Sequence, residues 1–255
     1  MGGDNAPEEA ILGALSAIKT MPVKLLLVGN SDVLKAELEK NGVSLPHDRL
    51  EIIHASEEVG MCESPSLSYK RKKDSSIRVG LQLVKENKAA GFVSAGNTGA
   101  VMTAATLTLG RIDGIERAAI ATVVPRITDF LVMLDMGANV DCKPEHLNQF
   151  ALMGHFFSKL ILGKENPRVG LLNIGEEKDK GNQLTQSVFP LLEEAPINFV
   201  GNIESKECFN KESADVVVCD GFVGNSMLKF GEGLAEFMIS NLKKECKKSV
   251  VSMLG

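Results

Sequence analysis

The sequence predicts an α/β fold built on a mostly parallel, doubly wound sheet. Short apolar or β-branched runs alternate with longer segments in which apolar residues recur every three or four positions. Turns rich in glycine and asparagine stand where many of the apolar runs end. With 255 residues and 44% hydrophobic content, the chain can bury a full core, either as one large domain over residues 1–255 or as two lobes.

The predicted strands are continuous apolar runs, which is typical of strands covered on both faces of a parallel sheet. They span residues 23–28, 50–54, 91–94, 119–124, 130–136, 168–174, 197–200 and 215–219. The segments with helical periodicity are 8–18, 32–39, 75–85, 98–109, 144–162, 183–192 and 222–243. Residues 60–73 are polar and contain Pro65, so we expect a long surface loop there.

Six glycine–asparagine turns are the most informative feature of the chain. They lie at residues 2–7, 93–99, 134–139, 172–177, 199–202 and 218–225. Glycine lets backbone N–H groups approach a ligand closely, and a turn from a strand into a helix leaves N–H groups free. Because the carboxyl ends of parallel strands meet at one edge of a sheet, several such turns together predict a phosphate pocket.

Composition narrows the classes of function. A net charge of −5, no tryptophan and a single tyrosine argue against a nucleic-acid partner. The five cysteines show no C-x-x-C pair and the four histidines no metal-binding spacing, so we expect a reducing cytoplasm and no metal. No apolar run reaches the roughly 18 residues that span a bilayer, and no signal peptide is visible.

The amino-acid sequences of these turns resemble those of the PlsX family of bacterial phosphate acyltransferases. The matching segments, in the expected order along the whole chain, are MGGDNAP (1–7), YKRKKDSS (69–76), SAGNTGA (94–100), LDMGANVDCKPEHL (134–147), VGLLNIGEE (169–177), KGN (180–182), FVGNIE (199–204) and DVVVCDGFVGN (215–225). Compared with family members, the chain lacks a short strand before its first turn and stops earlier, so both termini are expected to be truncated.

The resemblance implies transfer of a long fatty acyl group from acyl carrier protein to inorganic phosphate. The product would be acyl phosphate for phospholipid synthesis, and no cofactor is expected. The family's fold is similar to that of phosphotransacetylases and isopropylmalate dehydrogenases. Its members form homodimers, and several associate peripherally with the membrane.

This chemistry asks the protein to position phosphate and to stabilise an oxyanion, because phosphate is itself the nucleophile and a thiolate is a good leaving group. The catalytic candidates are Asn97, Asp135, Asn139, Asp220 and Asn225. A purely structural reading stays open, since Asn97 and Asp135 are also good caps for a helix or a turn.

The candidates for binding phosphate or the acyl group come from the same turns and from nearby lysines. They are Gly3, Asp4, Gly96, Thr98, Gly99, Lys143, Gly175, Lys180, Asn182 and Gly224. The two lysines could equally be solvated surface residues. We expect His146 to be a surface histidine of a helix rather than a general acid, and Cys142 and Cys219 to be small buried apolar residues.

Two basic clusters suggest partners. Lys70, Arg71, Lys72, Lys73 and Arg78 would suit an acidic carrier protein, although a solvated loop explains them almost as well. Lys243, Lys244, Lys247 and Lys248 follow an amphipathic run of Met227, Phe230, Leu234, Phe237, Met238 and Leu242. That run suits either an anionic membrane surface or helix packing in a core or a dimer.

Two other functions remain alternatives. An NAD-dependent dehydrogenase of the isopropylmalate class would share the fold, but no G-x-G-x-x-G motif follows the strand at residues 23–28. A non-enzymatic sensor of acyl carrier protein or lipid could have kept the same turns.

Overall fold

A computed structural model describes residues 1–210 and 212–246 of the chain. Its backbone contacts divide the chain into two units, Met1–Asp113 (unit 1) and Gly114–Gly255 (unit 2). Lys247 and Lys248 of the second basic cluster lie outside the described residues.

Unit 1 has helices around a small parallel sheet. Its elements are α1 (Glu8–Thr20), β1 (Leu25–Gly29), α2 (Ser31–Lys40), β2 (Leu50–His54), α3 (Pro65–Arg71), α4 (Ser76–Lys85) and α5 (Thr98–Leu109). Strands β1 and β2 pair in parallel, and Ile11, Leu34 and Leu38 form the buried core beside them. A second core joins α4 to α5 through Ile77 and Ala104.

Two predictions for unit 1 were wrong. The segment 60–73 contains α3, because Pro65 stands in the first helical turn, where its missing N–H has no intrahelical partner to lose. Residues 91–94 make no strand pairing in the described part of the chain. The ring of Phe92 packs instead over Gly80 of α4, and Val93 is almost wholly exposed.

Unit 2 is built on a five-stranded sheet. Its elements are β3 (Thr122–Pro125), β4 (Phe130–Leu134), α6 (Pro144–Ile161), β5 (Arg168–Leu172), α7 (Gln183–Glu194), β6 (Asn198–Ile203), a 3-10 helix (Ser205–Phe209), β7 (Val216–Val218) and α8 (Gly221–Cys246). The strand order is β3-β4-β7-β5-β6, and only the pair β3–β4 is antiparallel.

Apolar layers cover both faces of this sheet. Leu147 and Phe150 of α6 are buried on one face, together with residues of α7. On the other face, Met227 and Leu228 of α8 pack against the core that contains Cys208. The four parallel strands therefore present their carboxyl ends at one edge, where the predicted turns after β4, β5 and β7 begin. The prediction of a turn at residues 199–202 was wrong, because these residues lie within β6 and pair with β5.

The described residues contain no helix that is both long enough and apolar enough to cross a membrane.

The opposite edge of the sheet is held by a charged network around Asp215, which is 5% exposed. Its Oδ2 accepts hydrogen bonds from the backbone N–H of Arg168 at 2.9 Å and from Arg168 Nε at 3.0 Å. Lys164 Nζ lies 3.2 Å from Asp215 Oδ1. Burial alone would raise the pKa of Asp215, but the hydrogen bonds from Arg168 and Lys164 outweigh it and lower the pKa to about 2.

The Asp215 network predicts a specific loss of stability in acid. Its folded pKa lies below the unfolded value of 3.8, so the charged carboxylate stabilises the fold above about pH 4. The shift corresponds to about 2 kcal/mol, which is lost as the pH falls towards about 2. We expect Asp215→Asn to be destabilised at neutral pH, and the difference from wild type to shrink over this interval in urea denaturation.

Glu193→Gln is the matched control, because Glu193 forms an exposed ion pair with Lys178. Exposed pairs contribute little, so its effect should stay below about 1 kcal/mol at every pH. If the difference in the free energy of unfolding between wild type and Asp215→Asn does not change between about pH 5 and pH 2, the assignment is contradicted.

Candidate functional site

In unit 1, the first turn of the chain lies against the turn that precedes α5. A Cβ added to Gly2 would overlap the carbonyl oxygen of Val59, and one added to Gly3 would lie 3.0 Å from the carbonyl oxygen of Ala95. Gly2 also has a φ of +85°, a conformation that other residues rarely adopt. The glycines therefore permit a close approach of backbone segments, and Asp4 follows them with an exposed side chain.

Asn97 is the residue that orders this turn. It is 8% exposed and caps α5, because its Oδ1 accepts a hydrogen bond from the backbone N–H of Ala100 at 3.0 Å. Its Nδ2 lies 3.3, 2.9 and 3.0 Å from the carbonyl oxygens of Gly60, Met61 and Glu63. The side chain thus fixes both the start of α5 and the loop before α3.

The groups left free at this turn are on the backbone. The N–H groups of Thr98 and Gly99 have no acceptor within the described residues, and both residues are exposed. A Cβ at Gly99 would lie 2.8 Å from Cγ of Pro65, so glycine is required for the approach of α3. Free N–H groups at a helix N-terminus, reinforced by the helix dipole, favour an anion.

In unit 2, the turn after β4 is organised by Asp135, which is completely buried. Its Oδ1 accepts from the backbone N–H of Ile120 at 3.0 Å and of Ala138 at 3.1 Å. Its Oδ2 accepts from Asn139, through the backbone N–H at 2.6 Å and through Nδ2 at 2.8 Å. All four bonds come from neutral N–H donors, so the carboxylate is fully occupied within the turn.

The turn after β7 packs tightly onto the Asp135 turn. A Cβ at Gly224 would overlap the carbonyl oxygen of Asp135, and the N–H of Gly221 donates to the carbonyl oxygen of Asn139 at 2.8 Å. Asp220 caps α8, because its Oδ1 accepts from the backbone N–H groups of residues 222 and 223 at 3.0 Å.

Asn225 occupies the first turn of α8 beside the β4 turn. Its Cβ lies 3.3 Å from the position that a Cβ of Gly137 would take. The side chain is exposed, and no hydrogen bond to it is formed within the described residues. The structure therefore brings Asp135, Asn139, Asp220, Asn225 and Gly224 together at the carboxyl ends of the neighbouring strands β4 and β7.

The turn after β5 contributes a third set of predicted residues. Gly175 is buried, and a Cβ there would lie 2.8 Å from Glu177 Oε2 and 3.2 Å from Cγ of Lys180. Asn182 caps α7, with its Oδ1 accepting from the N–H of Thr185 at 2.9 Å. Lys180 is exposed, as is Lys143 at the start of α6, and neither forms an ion pair within residues 1–210 and 212–246.

His146 is not the surface histidine that we expected. It is 4% exposed, its Nδ1 accepts from the N–H of Lys143 at 3.1 Å, and its Nε2 lies 3.3 Å from Glu116 Oε2. Both ring nitrogens are occupied by contacts that hold the start of α6.

Neither cysteine near the turns of unit 2 is suited to act as a nucleophile. Desolvation raises the pKa of Cys142 to about 11, and it raises the pKa of the buried Cys219 further. Both thiols are therefore protonated at neutral pH and unreactive.

The first basic cluster divides into paired and unpaired cations. Lys72 Nζ lies 2.5 Å from Glu63 Oε1, and that hydrogen bond lowers the pKa of Glu63 to about 2. Arg78 donates to the carbonyl oxygen of Tyr69 at 2.9 Å. Lys70, Arg71 and Lys73 are exposed.

The sequence reading missed two residues that shape these turns. Asn173 is buried at the end of β5, where its Nδ2 donates to the carbonyl oxygen of Lys180 at 3.1 Å. Asn202 is buried on β6 and donates to the carbonyl oxygen of Glu177 at 2.8 Å. Each asparagine stands in a segment that the sequence predicted as a glycine–asparagine turn, which was the available signal, although the segment of Asn202 is part of β6.

The fold is an α/β fold similar to that of phosphotransacetylases. A phosphotransacetylase from Streptococcus pyogenes is similar, with a TM-score of 0.70 and 17% identity, covering 91% of this chain and 80% of that chain. The EutD phosphotransacetylase from Staphylococcus aureus is similar with a TM-score of 0.64 and 16% identity, covering 90% and 80%. At these identities the likeness shows the fold, and it confirms the predicted fold class.

The sequence gives the family itself. A family described as "Fatty acid synthesis protein" matches residues 1–255. The chain is 53% identical over 258 residues to the phosphate acyltransferase of Halothermothrix orenii, covering 100% of this chain and 76% of the relative. It is 46% identical over 256 residues to that of Acidobacterium capsulatum, covering 100% and 75%. The chain belongs to this family, and the resemblance to PlsX proteins is confirmed.

Asn97 has two functions, as N-cap of α5 and as hydrogen-bond donor to the loop of residues 60–63, and we expect a substitution to remove the second while keeping the first. Asn97→Ser keeps a good N-cap acceptor but removes the donors to residues 60–63. We expect the free energy of unfolding to fall by about 1–2 kcal/mol, and amide hydrogen exchange of residues 60–63 to accelerate more than that of α5.

Asn182→Ser is the matched control, because Asn182 also caps a helix and its Nδ2 anchors no loop within the described residues. Its effect on the free energy of unfolding should be a few tenths of a kcal/mol. Equal exchange rates of residues 60–63 in wild type and Asn97→Ser would show that the anchor is unimportant.

Proposed function

We propose that this protein transfers a fatty acyl group from acyl carrier protein to inorganic phosphate, giving acyl phosphate for phospholipid synthesis. The observation that carries the proposal is the 53% identity, over the whole chain, with a protein named phosphate acyltransferase. The protein is thus an acyltransferase, and we propose that it acts in the cytoplasm.

The reaction proceeds by direct attack. An oxygen of the phosphate dianion forms a bond to the thioester carbonyl carbon, and the carbonyl oxygen becomes an oxyanion. When the tetrahedral intermediate collapses, the C–S bond breaks and the carrier leaves as a thiolate. The protonated thiols of Cys142 and Cys219 support a route without a cysteine acyl-enzyme.

In unit 1, the free N–H groups of Thr98 and Gly99 are the proposed ligands of phosphate. Asn97 holds their turn in place through its cap and loop contacts. Gly3 allows the first turn to lie against Ala95, and we propose that Asp4 and Gly96 complete this set. Neutral backbone donors bind phosphate and oxyanion well because their positions are fixed before the substrate arrives.

In unit 2, we propose that the substrate is contacted by side chains that form no hydrogen bond within the turns. Asn225 has an amide that forms no hydrogen bond within the described residues. Asp135 orients Asn139 through two hydrogen bonds rather than acting as a base. Gly175, Asn182 and Gly224 shape the backbone, and Asp220 caps α8. The exposed Lys143 and Lys180 are the cations that we propose for anion binding at the turns of unit 2.

The acidic carrier protein docks, in this proposal, on the exposed cations Lys70, Arg71 and Lys73. Lys72 and Arg78 are less available because they contact Glu63 and Tyr69. Charge complementarity of this kind mainly accelerates association.

We also propose a homodimer whose interface includes α8. The apolar run that the sequence indicated is exposed on this helix, with Phe230 73% and Phe237 65% exposed, together with Leu234, Met238 and Leu242. An apolar surface of this extent on one helix marks an interaction site. Contact with an anionic membrane, assisted by Lys243 and Lys244, is the alternative occupant of the same face.

The family comparisons do not favour the dehydrogenase or the non-enzymatic sensor, since the relatives carry the name of an acyltransferase.

One assay tests the activity. Purified protein is given palmitoyl-acyl carrier protein with and without inorganic phosphate, and acyl phosphate is trapped as the hydroxamate with hydroxylamine. We expect hydroxamate above the background of direct thioester cleavage by hydroxylamine to form only with phosphate, because phosphate is the nucleophile. Hydroxamate at the same rate without phosphate, or none at all, would refute the proposed reaction.

A second experiment tests the dimer. Light scattering after size-exclusion chromatography should give a dimer for the wild type and a monomer for Phe230→Asp/Phe237→Asp, because buried carboxylates oppose association. Leu160→Asp, at an exposed apolar residue of α6, is the control and should remain dimeric. A monomeric wild type that floats with vesicles of phosphatidylglycerol would assign the face to the membrane instead.

A further inference from the structure

Unit 1 contains a basic cavity that lies away from its glycine turns. The cavity has a volume of about 410 Å³ and is lined by residues of α3, α4 and α5 and of the segment between α3 and α4. Three cationic side chains line it, Lys73, Arg78 and Lys85. No acidic side chain of the described residues does so.

The positive charge in this cavity is not neutralised internally. The guanidinium of Arg78 lies 4.4 Å above the ring of Tyr69 and donates to the carbonyl oxygen of that residue at 2.9 Å. These contacts fix its position without a carboxylate. Lys73 and Lys85 are exposed and form no ion pair in the described part of the chain. The cavity therefore favours an anion.

The rest of the cavity lining favours an apolar part of a ligand over water. Val79, Leu83 and Leu107 contribute apolar surface beside the cations. Inorganic phosphate would use only the charged side of such a cavity. A ligand that joins an anionic group to a short carbon chain would use both.

Helix α5 sets the distance between this cavity and the phosphate turn. Thr108 lines the cavity, whereas Thr98 and Gly99 stand at the other end of the same helix. Ten residues separate Thr98 from Thr108, which corresponds to about 15 Å along the axis. An anion in the cavity is therefore a different group from the nucleophilic phosphate, and a substrate that contacts both ends must be extended.

We infer that the cavity binds the organic phosphate of the acyl donor, at the far end of the arm that carries the thioester. The inference rests on the proposed function and extends it, because it adds Lys85 and the apolar wall to the surface that the donor contacts. Two donors share this chemistry, the phosphopantetheine arm of a carrier protein and coenzyme A.

Direct binding tests the site without relying on turnover. Titration calorimetry compares phosphopantetheine with pantetheine, which lacks only the phosphate. We expect wild type to bind phosphopantetheine at least about tenfold more tightly, because charge-assisted hydrogen bonds are lost with the phosphate. In Lys73→Ala/Lys85→Ala the two affinities should become nearly equal. Equal affinities in wild type, or a preference that survives in the variant, would overturn the inference.

Steady-state kinetics with two acyl donors, the carrier protein and coenzyme A, distinguishes a site for the donor's arm from the surface on which the carrier protein docks. With phosphate as acceptor, Lys85→Ala, which changes the cavity and not the docking surface, should raise KM several-fold for both palmitoyl-carrier protein and palmitoyl-coenzyme A, with kcat unchanged. Lys70→Ala/Arg71→Ala should raise KM only for the carrier protein, because those cations lie outside the cavity lining. A cavity variant that affects the carrier protein alone would place the site in protein docking and contradict an arm site.

Lys35→Ala is the matched control, since Lys35 is an exposed lysine of α2 in the same unit, distant in sequence from the cavity. It should change neither affinity nor KM. Preferential binding of phosphopantetheine without any acyl phosphate formation would retain the site and reject the proposed reaction, so the two failures are distinguishable.

Discussion

The buried carboxylate of Asp135 is the constraint on which the candidate site of unit 2 depends. A buried charge is costly unless hydrogen bonds replace its water, and here N–H donors from Ile120, Ala138 and Asn139 do so. These bonds tie the segment before β3 to the turn after β4. The backbone carbonyl of the same residue lies against Gly224, so α8 can begin where it does only if residue 224 has no side chain.

Unit 1 uses a neutral amide for a comparable purpose. Asn97 satisfies both sides of its amide group within the protein, as acceptor for the N-terminus of α5 and as donor to the carbonyl oxygens before α3. In both units, polar side chains with the strongest sequence signal are occupied in shaping turns. The groups that remain for a substrate are backbone N–H groups and a few exposed side chains, which suits a reaction whose nucleophile is the substrate phosphate.

The two units also differ in how their cationic side chains are paired. Asp215 gathers Arg168 and Lys164 at the amino-terminal edge of the sheet in unit 2, where they stabilise the fold and lie opposite the turns. In unit 1, Lys72 is paired with Glu63, whereas Lys73, next to it in the sequence, lines an unneutralised cavity. Neighbouring lysines thus lie in different electrostatic surroundings.

The sequence by itself determined the fold class, the family, the seven long helices and most of the strands, because periodicity and turn residues act locally. It also located the turns after β4, β5 and β7, but the segment 199–202, predicted as a turn, is part of β6. Tertiary structure decided what these and nearby residues do. The partners of Asn97 lie 34 to 37 positions away, and the buried His146 has Glu116 beside its Nε2. It likewise decided that residues 91–94 form no strand and that Pro65 begins a helix. Strand pairing, burial and the pairing of charges depend on residues distant in the sequence, which no local pattern specifies.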